Sequence, residues 1–143
     1  MKILYGVQGT GNGHITRSRI MAQKFSQYPD VQVDWLFSGR PTERYFDMQV
    51  FGEYHTRNGL SFSTTGGKIS TLGTLMRNRY LKFVNDVLSL KVQDYDLVVS
   101  DFEPVSAWAA KLHDVPSVSV GHQPSFKFQG VPHHTEHWAW HAR

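Results

Sequence analysis

Lys2-Ile3-Leu4-Tyr5-Gly6-Val7-Gln8-Gly9-Thr10-Gly11-Asn12-Gly13-His14 is the stretch whose reading decides the fold. Its first half is a short apolar run with strand character. Its second half sets glycines at alternate positions and closes on a histidine. Residues at helical spacing follow, with Ile15, Ile20, Met21, Ala22 and Phe25 forming a stripe that runs out near Tyr28-Pro29-Asp30. Strand, glycine turn and helix together bring unpaired backbone N–H groups and a helix N-terminus close to a ligand. The histidine sets this turn apart, because a titratable ring at the mouth of a glycine turn points to proton transfer.

Working outward, Val31, Val33 and Trp35 alternate with Gln32 and Asp34, which predicts a second strand over Val31 to Phe37. Ser38-Gly39-Arg40-Pro41 is a turn, and Pro41 suits the first position of a short helix through Tyr45 and Phe46. One further strand is expected around Gly52 to Thr56. From Thr71 to Val92, Leu72, Leu75, Met76, Tyr80, Phe83, Val84, Val87 and Leu88 recur at spacings of three and four, the mark of a long amphipathic helix. Tyr95 to Asp101 reads as a buried parallel strand, Pro104 to Leu112 as a helix with proline at its start, and Ser117 to Gly121 as a last strand. Alternation of strand and helix predicts an α/β domain: a Rossmann-like parallel sheet flanked by helices, binding ligands at the C-terminal ends of its strands.

The chain of 143 residues has the length of one domain, and 40% hydrophobic content with 13% aromatics describes a folded globular protein. A net charge of +3, spread without runs of like charge, gives no ground for nucleic-acid binding. The aromatics sit at core spacing and do not form a stacking platform between lysines. Without cysteine there is neither disulfide nor thiolate metal site. No apolar run approaches the roughly 20 residues of a membrane span, and the N-terminal run is too short for a signal sequence. The expectation is a cytoplasmic protein, with peripheral membrane contact through Lys68, Arg77, Arg79 and Lys82 as a variant.

The glycine turn departs from two common fingerprints. A dinucleotide motif needs a third glycine where His14 stands and an acid after the second strand, where Ser38, Gly39 and Arg40 stand. Arg40 would nevertheless suit a 2′-phosphate, so an NADP-binding oxidoreductase domain stays open. No Gly-Lys-Ser/Thr follows, which excludes a nucleoside-triphosphate loop. A third possibility is a non-catalytic small-ligand module in which His14 only caps the helix.

His14 gains weight beside Asp101, since both follow strands on the same rim of a parallel sheet. An aspartate on one ring nitrogen fixes the tautomer and raises the basicity of the other, which builds a general base. Asp101 has a second available role as N-cap of the Pro104 helix, with Glu103 in its first turn.

Val7-Gln8-Gly9-Thr10-Gly11-Asn12-Gly13-His14-Ile15-Thr16-Arg17 and Val98-Val99-Ser100-Asp101-Phe102-Glu103-Pro104, with Ala107-Trp108-Ala109-Ala110-Lys111 and Val115-Pro116-Ser117-Val118, resemble the N-terminal domain of GT-B fold glycosyltransferases. The likeness is to the branch of the lipid II-forming N-acetylglucosaminyltransferase and the UDP-glycosyltransferases, and is closer to a group of bacterial and archaeal proteins of this type. It implies transfer of a sugar from a nucleotide-sugar, a UDP-sugar being expected, to a hydroxyl acceptor. His14 would be the base, Asp101 its partner, and Gly9, Thr10, Gly11, Asn12 and Gly13 the loop facing the donor diphosphate. Inversion by a single displacement, without cofactor or obligatory metal, is implied. Glu103, His122 and Gln123 are candidate acceptor contacts.

GT-B enzymes bind most of the donor with a second, C-terminal domain carrying a Glu-containing motif after a glycine-rich loop, and no such segment occurs here. The resemblance therefore implies a fragment of a longer two-domain protein, inactive by itself. The tail carries His133, His134, His137 and His141, of which the first, third and fourth would share one face of a helix. An exposed segment that packs on another part of the protein is the expectation there, not a metal site.

Overall fold

The computed structural model describes residues 1–59 and 72–121, with the backbone alone for 72–78. Five strands, β1 (Lys2–Gln8), β2 (Gln32–Ser38), β3 (Tyr54–Arg57), β4 (Leu97–Asp101) and β5 (Ser117–Ser119), form one sheet in the order β3-β2-β1-β4-β5. Every pairing is parallel. The helices are α1 (Asn12–Phe25), α2 (Leu72–Ser89) and α3 (Pro104–Leu112). The Rossmann-like α/β architecture expected from the sequence is thus the one observed.

Side chains alternate across the sheet, and each face has its own core. Ile3, Tyr5, Val7, Trp35, Phe37 and Val99 point to one side, where they meet Ile15 and Ala22 of α1 together with Met48 and Phe51. Leu4, Leu36 and Val98 point to the other side, against Phe83 and Val87 of α2 and Val105, Ala109 and Ala110 of α3. Strands buried on both faces read as continuous apolar runs, as β1 and β4 do. Each such side chain contributes about 1.5–3 kcal/mol when fully buried.

Local chemistry explains the boundaries. In α1 the buried stripe is Ile15, Ser18 and Ala22, while Ile20 is exposed. Small residues at 18 and 22 let the helix approach the sheet, and the Ser18 hydroxyl donates to the His14 carbonyl at 2.9 Å. Pro41 precedes a 3₁₀ turn, Thr42–Arg44, in place of the expected helix. At α3, Pro104 occupies the first turn and Glu103 is the N-cap, its side chain accepting from the Val105 and Ser106 N–H groups. Asp101 is therefore not the cap. Gly6 permits this arrangement, since a Cβ there would lie 2.1 Å from Ser106 Oγ and 3.0 Å from Glu103 Oε2.

From β1 the chain passes through α1 to β2 on one side, and later returns to β4 on the other. The order reverses between β1 and β4, and at such a reversal the connections diverge and open a crevice beyond the strand ends. Among the described residues no helix is long and apolar enough to cross a membrane.

Candidate active site

Both predicted residues of the dyad lie at that crevice. Asp101 ends β4, in register with Val7 of β1, and is fully buried. His14 sits in the first turn of α1, and its Nδ1 lies 2.7 Å from Asp101 Oδ1. A carboxylate beside an arginine accepts hydrogen bonds and does not donate them, so Nδ1 carries a proton, and in the neutral ring the lone pair is then on Nε2. The histidine does not cap α1. Gly11 is the N-cap, and it makes no side-chain cap hydrogen bond.

A third residue joins the pair. Arg17 Nε donates to Asp101 Oδ2 at 3.0 Å, and Arg17 Nη2 donates to Asp101 Oδ1 and lies 3.2 Å from His14 Nδ1. The hydrogen bond to Asp101 raises the guanidinium above its ordinary pKa, against the opposing effect of burial. Arg17 was not among the residues singled out by sequence reasoning. The signal was its spacing, three residues after His14 on the same helix face.

Phe102 completes the wall. Its backbone adopts φ +57, and its half-exposed ring lies 5.9 Å from the His14 ring with 9° between the planes. A left-handed conformation costs a non-glycine residue about 1–2 kcal/mol.

The glycine loop is held from below by a buried polar chain. Gln8 Nε2 donates to Thr10 Oγ1 at 3.4 Å, while the Ser38 hydroxyl reaches Gln8 Oε1 at 3.3 Å and Glu103 Oε1 at 2.6 Å. Gly9 N–H donates to the Ser38 carbonyl at 2.7 Å. Gly9 is required by close approach, since a Cβ would lie 2.4 Å from the Tyr45 hydroxyl. Burial pushes that tyrosine up to about 12. Gly11 and Gly13 are different, for a Cβ on either would meet nothing within 4 Å. No protein contact demands glycine at these positions, and Gly11 has φ −118, which any residue adopts. With no side-chain cap and no acid in the first turn, the N–H groups at the start of α1 are available to an anion.

Arg40, the basis of the NADP reading, is bound to the loop itself: its Nη2 donates to Asn12 Oδ1 at 2.9 Å and to the Thr10 carbonyl at 3.4 Å. Glu103 departs from its expected place as an acceptor contact. Its side chain is wholly buried, with both oxygens occupied by the Val105 and Ser106 N–H groups and by Ser38. Burial raises its pKa more strongly than these hydrogen bonds lower it. His122, Gln123, Lys68, His133, His134, His137 and His141 lie outside the described residues, as does the side chain of Arg77. Among the described residues no group of His, Cys, Asp or Glu side chains is placed to hold a metal ion.

No curated protein matches the chain. The family model for glycosyl transferase family 1 matches residues 1–139, nearly the whole sequence and both walls of the crevice. The match covers far more than half of the chain, and the chain belongs to glycosyl transferase family 1.

Proposed function

We propose that the protein transfers a sugar from a UDP-sugar to a hydroxyl acceptor by single displacement with inversion. His14 serves as the base, Asp101 as its partner, and a further donor-binding domain of the same polypeptide holds the nucleotide. The observation that carries this reading is the 2.7 Å contact between His14 Nδ1 and Asp101 Oδ1, which leaves Nε2 to take a proton. The family supports glycosyl transfer in general.

In this mechanism the acceptor hydroxyl gives its proton to His14 Nε2 as its oxygen bonds to the anomeric carbon. The bond from that carbon to the diphosphate oxygen breaks, and the electron pair leaves with the nucleoside diphosphate. Asp101 stabilises the imidazolium that forms. Backbone N–H groups from Gly11 to His14 meet the negative charge growing on the diphosphate, and this stabilisation requires no reorganisation because the loop is already held by Gln8, Ser38 and Arg40. The absence of side chains at Gly11 and Gly13 leaves room for the phosphates to approach. The charge is met by the backbone, so no metal ion is assigned to the step.

The test is to incubate the full-length protein with UDP-glucose, UDP-galactose and UDP-N-acetylglucosamine and a mixed pool of phenols, sugars and lipid extract. UDP release and product mass are then measured. Acceptor-dependent release that collapses in His14→Gln supports the reading. Release that survives this substitution removes His14 from the mechanism.

A further inference from the structure

Asp101 presents two buried oxygens, and His14 can satisfy only one of them. In a fully buried carboxylate the other would be left without a donor, at a cost of about 1–3 kcal/mol or more for a charged group. Arg17 supplies that donor through Nε on Oδ2, and its Nη2 reaches Oδ1 as well. Two parallel N–H bonds from a planar guanidinium fix the plane of a carboxylate, which a lysine cannot do. Once that plane is fixed, the direction left open on Oδ1 is the one His14 Nδ1 occupies.

We infer that Arg17 is a positioning residue for the dyad: it locks the Asp101 carboxylate so that His14 is held in the Nδ1–H tautomer with Nε2 free. This rests on the reading of His14 as the base. The fork of Arg17 is directed at the dyad, which its spacing along α1 makes possible. The guanidinium Nη2 also lies 3.2 Å from Nδ1. Among the described residues the charged groups facing the ring are Asp101 and Arg17. The Phe102 ring is neutral, and the buried Tyr5 phenol is pushed up to about 12, chiefly by burial and then by the charge of Asp101. Arg17 thus orders the base through Asp101 and is not itself assigned a contact with substrate.

The experiment uses the full-length protein labelled with ¹⁵N-histidine, the His14 signals being identified by their loss in His14→Gln. In the unsubstituted protein the long-range proton–nitrogen spectrum should show the Nδ1–H tautomer. Arg17→Met should give a mixture of tautomers, with kcat lowered about 10–100-fold by misplacement of the base, and with the KM for the UDP-sugar chosen from the panel above nearly unchanged. Arg17→Lys keeps the charge without the fork and should fall between the two; it also decides the matter if Arg17→Met does not fold. An unchanged His14 spectrum in both variants overturns the inference. A raised KM with kcat retained also overturns it, by making Arg17 a substrate-binding cation. The spectrum needs no turnover, so full activity in His14→Gln would sink the base reading while the effect of Arg17 on the ring remained measurable.

Discussion

Nδ1 of His14 and Oδ1 of Asp101 lie 2.7 Å apart although 87 residues separate them along the chain. The contact is made by the sheet. Val7 and Asp101 are in register on neighbouring parallel strands, and the turn that follows Gln8 carries His14 over the end of β4. Asp101 is fully buried and His14 is partly exposed, so the carboxylate anchors the pair from the interior while the imidazole stays accessible from solvent.

Replacing His14 by glutamine keeps a donor near Asp101 but removes the proton acceptor. Transfer should fall on the order of 10²–10⁴-fold, the usual contribution of a general base. Urea unfolding should be almost unchanged, because the side chain lies outside the core. Initial rates and the unfolding midpoint, taken on the same preparation, check both halves.

Asp101→Asn should weaken the fold as well as the reaction. The amide cannot accept from both His14 and Arg17 through two oxygens, so a buried donor faces a donor. A loss of about 1–3 kcal/mol in folding free energy is expected, readable by urea titration. Equal stability of this variant and the parent would show that the Arg17 contact is carried by solvent.

The loop glycines should separate packing from ligand approach. Gly9→Ala would drive a methyl group into Tyr45 and the Ser38 carbonyl, costing about 1–3 kcal/mol as overpacking does. Gly11→Ala and Gly13→Ala meet open space, so stability should hold. Gly13→Ala, inside α1, should gain about 0.4–1 kcal/mol. If the loop faces the donor diphosphate, these last two variants should nevertheless lose affinity for UDP-sugar, measurable by calorimetry. Undiminished affinity would move the donor elsewhere.

Glu103 gives a prediction in pH. Its folded pKa is raised above the ordinary value of 4.5, so its contribution to stability is present below that pH. The contribution is lost as pH rises through the folded value, where the buried carboxylate ionises. The stability advantage of the parent over Glu103→Gln should therefore shrink as pH rises above 4.5, and a difference that grows with pH would contradict it. Glu103→Ala, which removes the cap and leaves two buried N–H groups and Ser38 unpaired, should cost about 2–4 kcal/mol at low pH, a cost that falls with rising pH in parallel with that of Glu103→Gln.

Much of this was legible in the chain, for reasons that can be traced to particular residues. The limits of α3 follow from Pro104, whose fixed φ and missing N–H suit a first helical turn. The strand β1 and the turn after it follow from an apolar run broken by glycines. In the stripe expected for α1, Ile15 and Ala22 are buried but Ile20 is exposed, because hydrophobicity alone does not say how close a helix approaches its sheet; Ser18, small enough for that approach, is inside in its place.

By itself the sequence determined the kinds of element, their order and the placement of a histidine after a glycine turn, because backbone preference and side-chain periodicity act over a few residues. It also placed His14 and Asp101 on one rim, since parallel strands share a direction. Only the tertiary structure decided which acid does what. The pairing of β1 with β4 brings Asp101 to His14 and Arg17, while the close approach at Gly6 draws Glu103 inward to cap α3 and to bind Ser38. The contacts of Asp101 with His14 and Arg17 and of Glu103 with Ser38 span 65 to 87 residues, and their distances are set by sheet register and helix packing, quantities that no local stretch of the chain encodes.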